Sequence, residues 1–127
     1  MYRAVTQEIQ IDAYPEFVRE ESRPEASYYF FSYRICIKNL GAKPAQLLAR
    51  HWVITDGKGM VREVVGDGVV GKQPRLNPGD EFEYTSFCPL PTPTGNMRGS
   101  YEMVDSEGNK FTVKIPLFFL RDLSLLH

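Results

Sequence analysis

The sequence predicts an all-β domain, namely an antiparallel β-sandwich of immunoglobulin-like or fibronectin type III-like design with about seven strands. Apolar residues recur at every second position in several segments, so one face of each segment is directed to a core and the other to water. Turn residues separate these segments at short intervals, and no stretch has a helical period of useful length. Two packed antiparallel sheets bury strands of this kind.

Length, charge and cysteine content limit the function. The 127 residues are enough for one core, and we expect a single domain over residues 1–127. With 15 basic and 16 acidic residues the net charge is -1, so we expect neither nucleic acid nor membrane as a partner. Charges near the first residue and the lack of ~20 consecutive apolar residues predict a cytoplasmic protein. Cys36 and Cys88 are therefore expected to be free thiols.

The first two strands are predicted from the clearest alternation. Apolar and polar residues alternate over residues 5–13, which predicts a first strand that ends at Tyr14-Pro15. A polar stretch over 19–27 follows. The strongest apolar stripe of the sequence then marks a long central strand, and its members are Tyr29, Phe31, Tyr33, Ile35 and Ile37.

The next strand, over residues 46–55, has apolar residues on both faces. Either both faces are covered by protein or one of them contacts a partner. A turn over 56–59 leads to a short strand over 61–65, and residues 66–78 are predicted to form a loop that excludes a regular helix. The two apolar phases of the 46–55 strand are Leu48, Trp52 and Ile54 against Leu47, Ala49 and Val53.

Three further strands complete the predicted sandwich. Residues 81–87 alternate again, a proline-rich turn leads to a sixth strand over 97–105, and a tight turn connects it to a last strand over 111–115. The immunoglobulin disulfide is expected to be absent, because Cys88 lies before the sixth strand. An apolar tail follows, with Leu117-Phe118-Phe119-Leu120 and Leu123, Leu125 and Leu126.

A glycine motif, Gly66-Asp67-Gly68-Val69-Val70-Gly71, follows the predicted 61–65 strand. In dinucleotide-binding folds such a motif opens a helix that holds the pyrophosphate, but Lys72-Gln73-Pro74 excludes a helix here. We interpret the motif mainly as a loop that needs positive backbone dihedrals. A weaker alternative is an anion-binding site in which backbone amides of Gly66, Asp67, Gly68 and Gly71 act together with Lys72.

No catalytic or metal centre is predicted. His51 has no identifiable nucleophile or orienting partner, and it is expected to be a strand histidine beside a core Trp52. The histidines and cysteines lack the spacing of zinc ligands, and the turn aspartates Asp56 and Asp105 are expected to cap their own backbone. We therefore expect a protein that is not an enzyme and holds no cofactor.

Apolar residues outside the predicted core indicate a contact surface. Tyr28 and Phe30 lie in the exposed phase of the long strand, and the apolar tail either folds back as a last strand or marks a protein interface. The candidate interaction surface consists of Arg50, His51, Phe118 and Phe119. A protein partner is the expected ligand, and a homodimer through an edge or face is left open.

Several runs of the sequence resemble the ApaG (DUF525) family over nearly the whole chain. They include Asn39-Leu40-Gly41, the segment 46–56, the glycine motif with Lys72-Gln73-Pro74, and the segments 76–86 and 92–101. The resemblance implies a fibronectin type III-like sandwich that mediates protein contacts. It also implies an association of bacterial members with cobalt and magnesium efflux or resistance and with diadenosine tetraphosphate metabolism.

The leading hypothesis is therefore a non-enzymatic module that binds a protein partner. The alternative is a sensor of a phosphate, nucleotide or divalent cation through the Gly66–Gly71 loop. The resemblance supports a nucleotide or pyrophosphate site at Gly66, Gly68 and Gly71, although the missing helix counts against it.

Overall fold

The structure is a computed structural model that describes residues 1–125; Leu126 of the predicted apolar tail lies outside the described residues. Within the described residues nine antiparallel strands form two sheets, which confirms the predicted all-β sandwich. The first sheet has the order β1 (Tyr2–Thr6), β2 (Ile9–Phe17), β3 (Tyr29–Asn39) and β7 (Glu81–Leu90). The second has the order β5 (Val61–Asp67), β4 (Ala45–Asp56), β8 (Thr94–Asp105) and β9 (Lys110–Arg121), and β6 (Arg75–Leu76) pairs with the start of β4.

Short 3₁₀ segments occupy Arg19–Glu21, Pro24–Ala26 and Leu123–Leu125. None of the helical segments within residues 1–125 has the length and apolar character needed to cross a membrane. Cys36 and Cys88 are both free thiols, as expected. Cys88 lies inside β7 rather than between strands, because β7 continues through Leu90.

The predicted first strand is in fact a hairpin of β1 and β2. Gln7 and Glu8 form its two-residue turn with positive φ angles of 45° and 65°, and Thr6 pairs with Ile9. The turn lacks the usual Asn-Gly or Asp-Gly, so the sequence did not indicate it. The strand also does not end at Tyr14-Pro15. The pairing of β1 with β2 extends only as far as Tyr2 opposite Ala13, so the part of β2 after Ala13 has β3 on one side and a free edge on the other. Pro15 lies in this edge part of β2, where proline is tolerated.

The core lies between the two sheets, and aromatic side chains occupy its centre. The long apolar stripe of β3 faces inward as predicted, with Phe31, Ile35 and Ile37 fully buried. Trp52 of β4 packs against Tyr33 of β3 and Phe118 of β9, with ring centroids 5.3 and 5.9 Å away. Tyr33, Trp52 and Phe118, here called the aromatic cluster, thus join three strands from both sheets.

Two β-bulges in the second sheet change which residues face this core. In β4 the register with β8 shifts between Leu47 and Ala49. The side chains that face the core therefore change from odd-numbered residues such as Leu47 to even-numbered residues such as Trp52. This bulge explains the two apolar phases of residues 46–55, and it places Leu47 in the core rather than on a second surface. In β9 a second bulge lies between Ile115 and Phe118, which are both fully buried.

The β1–β2 turn gives a stability prediction. Glu8 is a non-glycine residue with left-handed backbone, which glycine adopts without steric cost. We expect Glu8→Gly to raise the free energy of unfolding by about 0.5–1 kcal/mol, measured by urea denaturation. Ser106→Gly is the control, because Ser106 is exposed in the β8–β9 turn without a positive φ, and it should leave stability unchanged or lower it. Equal effects of the two substitutions would contradict this explanation.

Candidate functional site

The glycine motif forms the end of β5 and a tight turn. Gly66 and Asp67 are the last residues of β5, so the predicted loop begins two residues later than expected. Gly68 (φ 63°), Val70 (φ 44°) and Gly71 (φ 79°) have left-handed backbone. Val69 and Lys72 close the turn, since each donates its N–H to the carbonyl oxygen of the other at 2.8 and 2.9 Å. No helix follows in this part of the chain, as predicted; Arg75–Leu76 forms β6 instead.

The backbone amides of this turn do not converge on an open site. The N–H of Gly68 donates to the carbonyl oxygen of Leu48 at 2.8 Å, and the amides of Val69 and Lys72 are used within the turn. An anion nest requires neighbouring amides that are free to donate. The anion-binding alternative thus loses the amide of Gly68, and the neighbouring amides of Val69 and Lys72 are not free to replace it. Lys72 remains as an exposed side chain on the turn.

Arg50 occupies the space beside the glycine motif. Its guanidinium Nη1 donates to the carbonyl oxygens of Asp67 and Gly68, both at 3.0 Å. A Cβ at Gly66 would lie 2.9 Å from the same Nη1, so the absence of a side chain there lets the guanidinium pack on the strand. The carbonyl oxygens that a bound cation would need are consequently engaged by Arg50.

Gly68, the second glycine of the motif, is required for two reasons. Its φ of 63° disfavours other residues, and a Cβ would lie 2.3 Å from the carbonyl oxygen of Lys72. Gly71 has a similar φ of 79°, but no atom lies within 4 Å of its Cβ position. The spacing of the motif therefore follows from chain packing at Gly66 and Gly68 and from turn conformation at Gly71.

This difference makes Gly68 and Gly71 a matched pair for a stability measurement. Gly71→Ala should lower the free energy of unfolding by about 1–2 kcal/mol through the backbone conformation alone. Gly68→Ala should cost clearly more, because it adds a clash with backbone to the same conformational cost. Chemical denaturation of both variants tests this, and equal losses would show that the close approach to Lys72 does not constrain the motif.

Arg50 also lies near three buried tyrosines. Burial raises the pKa of Tyr33, Tyr84 and Tyr101, and the positive charge of Arg50 opposes this only in part. The hydroxyls of Tyr84 and Tyr101 share a hydrogen bond that connects β7 with β8, and hence the two sheets. The inward position of Arg50 thus reflects a structural role, and it removes Arg50 from the surface that carries His51.

The tyrosines predict a loss of stability in alkali. A tyrosine in the unfolded chain loses its proton near pH 10, whereas the buried tyrosines of the folded protein keep theirs to higher pH. The free energy of unfolding that these protonated tyrosines contribute is therefore fully present below pH ~10 and decreases above it. We expect the free energy of unfolding to fall between pH 10 and 12, and to fall less steeply in the Tyr84→Phe/Tyr101→Phe double variant. Tyr28→Phe, at an exposed position, is the control and should retain the wild-type pH dependence. Parallel curves for all three proteins would refute the assignment.

The predicted interaction residues separate into two groups. His51 lies on the outward face of β4, with its side chain 44% exposed and its Nε2 3.7 Å from a carboxylate oxygen of Glu63 on β5. Phe119 is also outward-facing, at 39% exposed. Phe118 is not part of this surface; the bulge in β9 turns it into the core, where it contacts Trp52 and Tyr33. The apolar tail through Leu120 is thus the second half of β9.

A mixed apolar and charged surface covers the outer side of the second sheet, and we call it the outer face. Val65 (72% exposed) and Val61 (58%) of β5 lie at one margin, and Leu117 (45%) of β9 at the other. Sequence reasoning missed both valines, although their alternation with Glu63 was a signal. The outer face consists of His51, Val53, Thr55, Val61, Glu63, Val65, Asn96, Arg98, Ser100, Lys114, Leu117 and Phe119.

The remaining chemical candidates have local structural partners. The carboxylate of Asp56 accepts the amides of Lys58 and Met60, and that of Asp105 accepts the amides of Glu107 and Asn109, as expected for turn aspartates. These backbone bonds also lower the pKa of Asp105. Among residues 1–125, no three His, Cys, Asp or Glu side chains are grouped so that they could hold a metal ion.

The fold and these surfaces define a two-sheet β-sandwich of the fibronectin type III-like class. The chain belongs to the ApaG family, because the ApaG domain (DUF525) matches residues 19–105. Proteins named ApaG from Methylobacterium sp. (strain 4-46) and Bdellovibrio bacteriovorus are 52% and 49% identical to it. The first match covers 94% of this chain and 92% of the relative, and the second covers all of both. These names state no catalytic activity.

Solved structures show the same architecture. The crystal structure of a Bordetella pertussis protein under the name ApaA is 50% identical, with a TM-score of 0.88 over 89% of this chain and 92% of that chain. The C-terminal domain of Wzt shares only the fold, with a TM-score of 0.54 at 10% identity over 94% of this chain and 76% of that chain.

Proposed function

We propose that this protein is a non-enzymatic binding module that contacts a protein partner through the outer face of its second sheet. The observation that carries the proposal is the exposed apolar side chains at both margins of this face, Val61 and Val65 on β5 and Leu117 and Phe119 on β9, on a sheet whose opposite side already fills the core. A sheet face covered only by water would carry mainly polar residues. Exposed apolar groups that share one face are typical of a contact surface.

The composition of the outer face fits a protein partner. Val53 and Leu117 line a shallow depression of about 380 Å³ together with Arg98 and Lys114. Apolar contact supplies affinity, and charges beside it discriminate between partners. The depression is large enough for one or two side chains of a partner.

The first sheet also carries apolar residues on its outer side. Phe30 stacks on the exposed Phe87 with ring centroids 5.3 Å apart, and Tyr28 lies 6.2 Å from Phe30. These aromatics lie at one end of the sheet. Ion pairs between Arg34 and Glu83 and between Lys38 and Glu81 occupy positions further along the same strands. We therefore place the partner on the second sheet.

The cellular part of the proposal is a role in cobalt and magnesium efflux or resistance, in the cytoplasm. It rests on the family to which the chain belongs, whose bacterial members the sequence resemblance associates with these ions. In this proposal the chain acts through the partner bound at the outer face, and the partner handles the ion.

Charge introduced into the outer face should abolish partner binding. Immobilised wild-type protein is compared with Val53→Glu/Leu117→Glu by affinity capture and quantitative mass spectrometry, and we expect at least a tenfold loss of the specific partner. Thr85→Glu, exposed on the first sheet, is the matched control and should bind as the wild type does. Circular dichroism and thermal unfolding establish that each variant is folded.

The same variants test the cellular role in a bacterium that lacks its own copy of the gene. The wild type and Thr85→Glu should restore growth in cobalt, and Val53→Glu/Leu117→Glu should not. The proposal is wrong if the outer-face variant retains its partner, and its cellular part is wrong if that variant restores growth fully.

A further inference from the structure

We infer that the free edge of β5 is a docking site for an extended segment of a partner protein, which adds to the second sheet as a further strand with alternating charge. This inference rests on the proposed protein-binding function and names the class of partner segment that it recognises. Within residues 1–125, β5 pairs only with β4, so its other edge has no strand beside it.

The register shows which backbone groups this edge presents. The N–H of Asp56 donates to the carbonyl oxygen of Met60 at one end of the β4–β5 pair, and the N–H of Gly68 donates to Leu48 at the other. Since hydrogen-bonded positions alternate in an antiparallel pair, the even-numbered residues of β5 bond to β4. The amides and carbonyls of the odd-numbered residues therefore face away from β4, and these residues are Val61, Glu63, Val65 and Asp67. The carbonyl of Asp67 already accepts a hydrogen bond from Arg50, so Asp67 offers only its amide to an added strand.

The other three sheet edges are less open to an added strand. The edge of β9 is partly covered by β1, since the N–H of Lys114 donates to the Thr6 hydroxyl at 3.2 Å, and a bulge next to Pro116 interrupts it. On β7, Pro89 is one of the residues whose backbone faces the free edge rather than β3, and it has no N–H to donate. β1 has only five residues. Prolines, bulges and short strands protect edges, and β5 has none of these over its seven residues. Its protection consists of the exposed charges of Arg62, Glu63 and Asp67, so an added strand must carry complementary charge.

Charge on the two sides of β5 specifies the occupant. On the outward side, Val61 and Val65 alternate with the exposed acids Glu63 and Asp67. On the inward side, Arg62 is exposed at one end of the strand, and the guanidinium of Arg50 lies on Gly66 at the other. A matching strand carries basic residues opposite Glu63 and Asp67 and acidic residues opposite Arg62 and Gly66. Apolar residues fit opposite the three valines.

A second copy of the chain does not meet this requirement. A two-fold axis that continues the sheet through Glu63 or Val65 places carboxylates directly opposite each other, because Glu63 then faces Glu63 or Asp67 of the second copy. An axis through Val64 places Arg62 beside Gly66 of the second copy, where that copy's Arg50 lies. Like charges directly opposite destabilise strand pairing. The occupant is therefore a segment of a different protein.

The test uses four peptides and the full chain. The designed peptide, Lys-Glu-Val-Val-Lys-Glu-Val, places its residues in antiparallel order opposite Asp67 to Val61. Its control, Glu-Lys-Val-Val-Glu-Lys-Val, has the opposite order of charges. In the third peptide, N-methyl groups replace the amide hydrogens at the third and fifth residues, and a sister peptide is methylated at the fourth residue instead. Binding is followed by NMR titration of ¹⁵N-labelled protein.

We expect the designed peptide to bind at least tenfold more tightly than the charge-exchanged control, with the largest amide shifts at Val61, Glu63, Val65 and Asp67. Methylation at the third and fifth residues should abolish binding, whereas methylation at the fourth should change it little, since that N–H faces away from β5. Glu63→Lys/Asp67→Lys should weaken the designed peptide at least tenfold. Leu117→Glu should not, because Leu117 lies on β9, at the opposite margin of the second sheet.

The inference is overturned if neither peptide shifts the amides of β5, if the two charge orders bind equally, or if both methylation patterns have the same effect. It is also overturned if sedimentation shows a dimer that Glu63→Lys/Asp67→Lys dissociates, since the occupant is then a second copy. These results leave the proposed function untouched, because that depends on partner capture by the outer-face variant. If the outer-face variant loses its partner and no peptide binds to β5, the docking site at the β5 edge is refuted and the proposed function is not.

Discussion

The packing of Trp52 between Tyr33 and Phe118 is the constraint on which the rest of the structure depends. It joins the central strand of the first sheet to two strands of the second, and each of its three rings is at most 5% exposed. A large aromatic side chain contributes much of the apolar area that a small core can bury. Gly99, opposite Trp52 on β8, belongs to the same constraint, since a Cβ there would lie 2.0 Å from the backbone oxygen of His51.

Two bulges make this packing compatible with the rest of the second sheet. Side chains alternate strictly along a regular strand, so a β4 that buries Leu47 would expose Trp52, and a β9 that buries Ile115 would expose Phe118. One additional residue in each strand changes the phase and buries both members of each pair. The same change turns Leu117 and Phe119 outward and Arg50 inward. The core and the outer face are therefore consequences of one pair of irregularities.

The sequence predicts those parts of the fold in which alternation is unbroken. The stripe from Phe31 to Ile37 has a single phase, and both its extent and its buried face were predicted correctly. Residues 46–55 have two phases because of the bulge, which one sequence cannot distinguish from a strand covered on both sides. The turn at Gln7-Glu8 was missed because it lacks glycine and asparagine. The inward position of Phe118 could not be predicted, since it depends on pairing with β8 rather than on local sequence.

The backbone conformation of the glycine motif was predicted correctly, but the sequence did not decide whether the motif binds a ligand. Its glycines indicated left-handed backbone, which Gly68 and Gly71 have, but not the destination of each amide and carbonyl. That is decided by Arg50, which the β4 bulge turns inward to the carbonyls of Asp67 and Gly68. Once its guanidinium occupies this place, the motif presents neither free carbonyls to a cation nor converging amides to an anion. The positive charge instead lies at the inner side of the β5 edge, while Glu63 and Asp67 keep its outer side acidic. An edge with opposite charges on its two sides selects the alternation of an added strand, because a shift by one residue in either direction would place two pairs of like charges opposite each other.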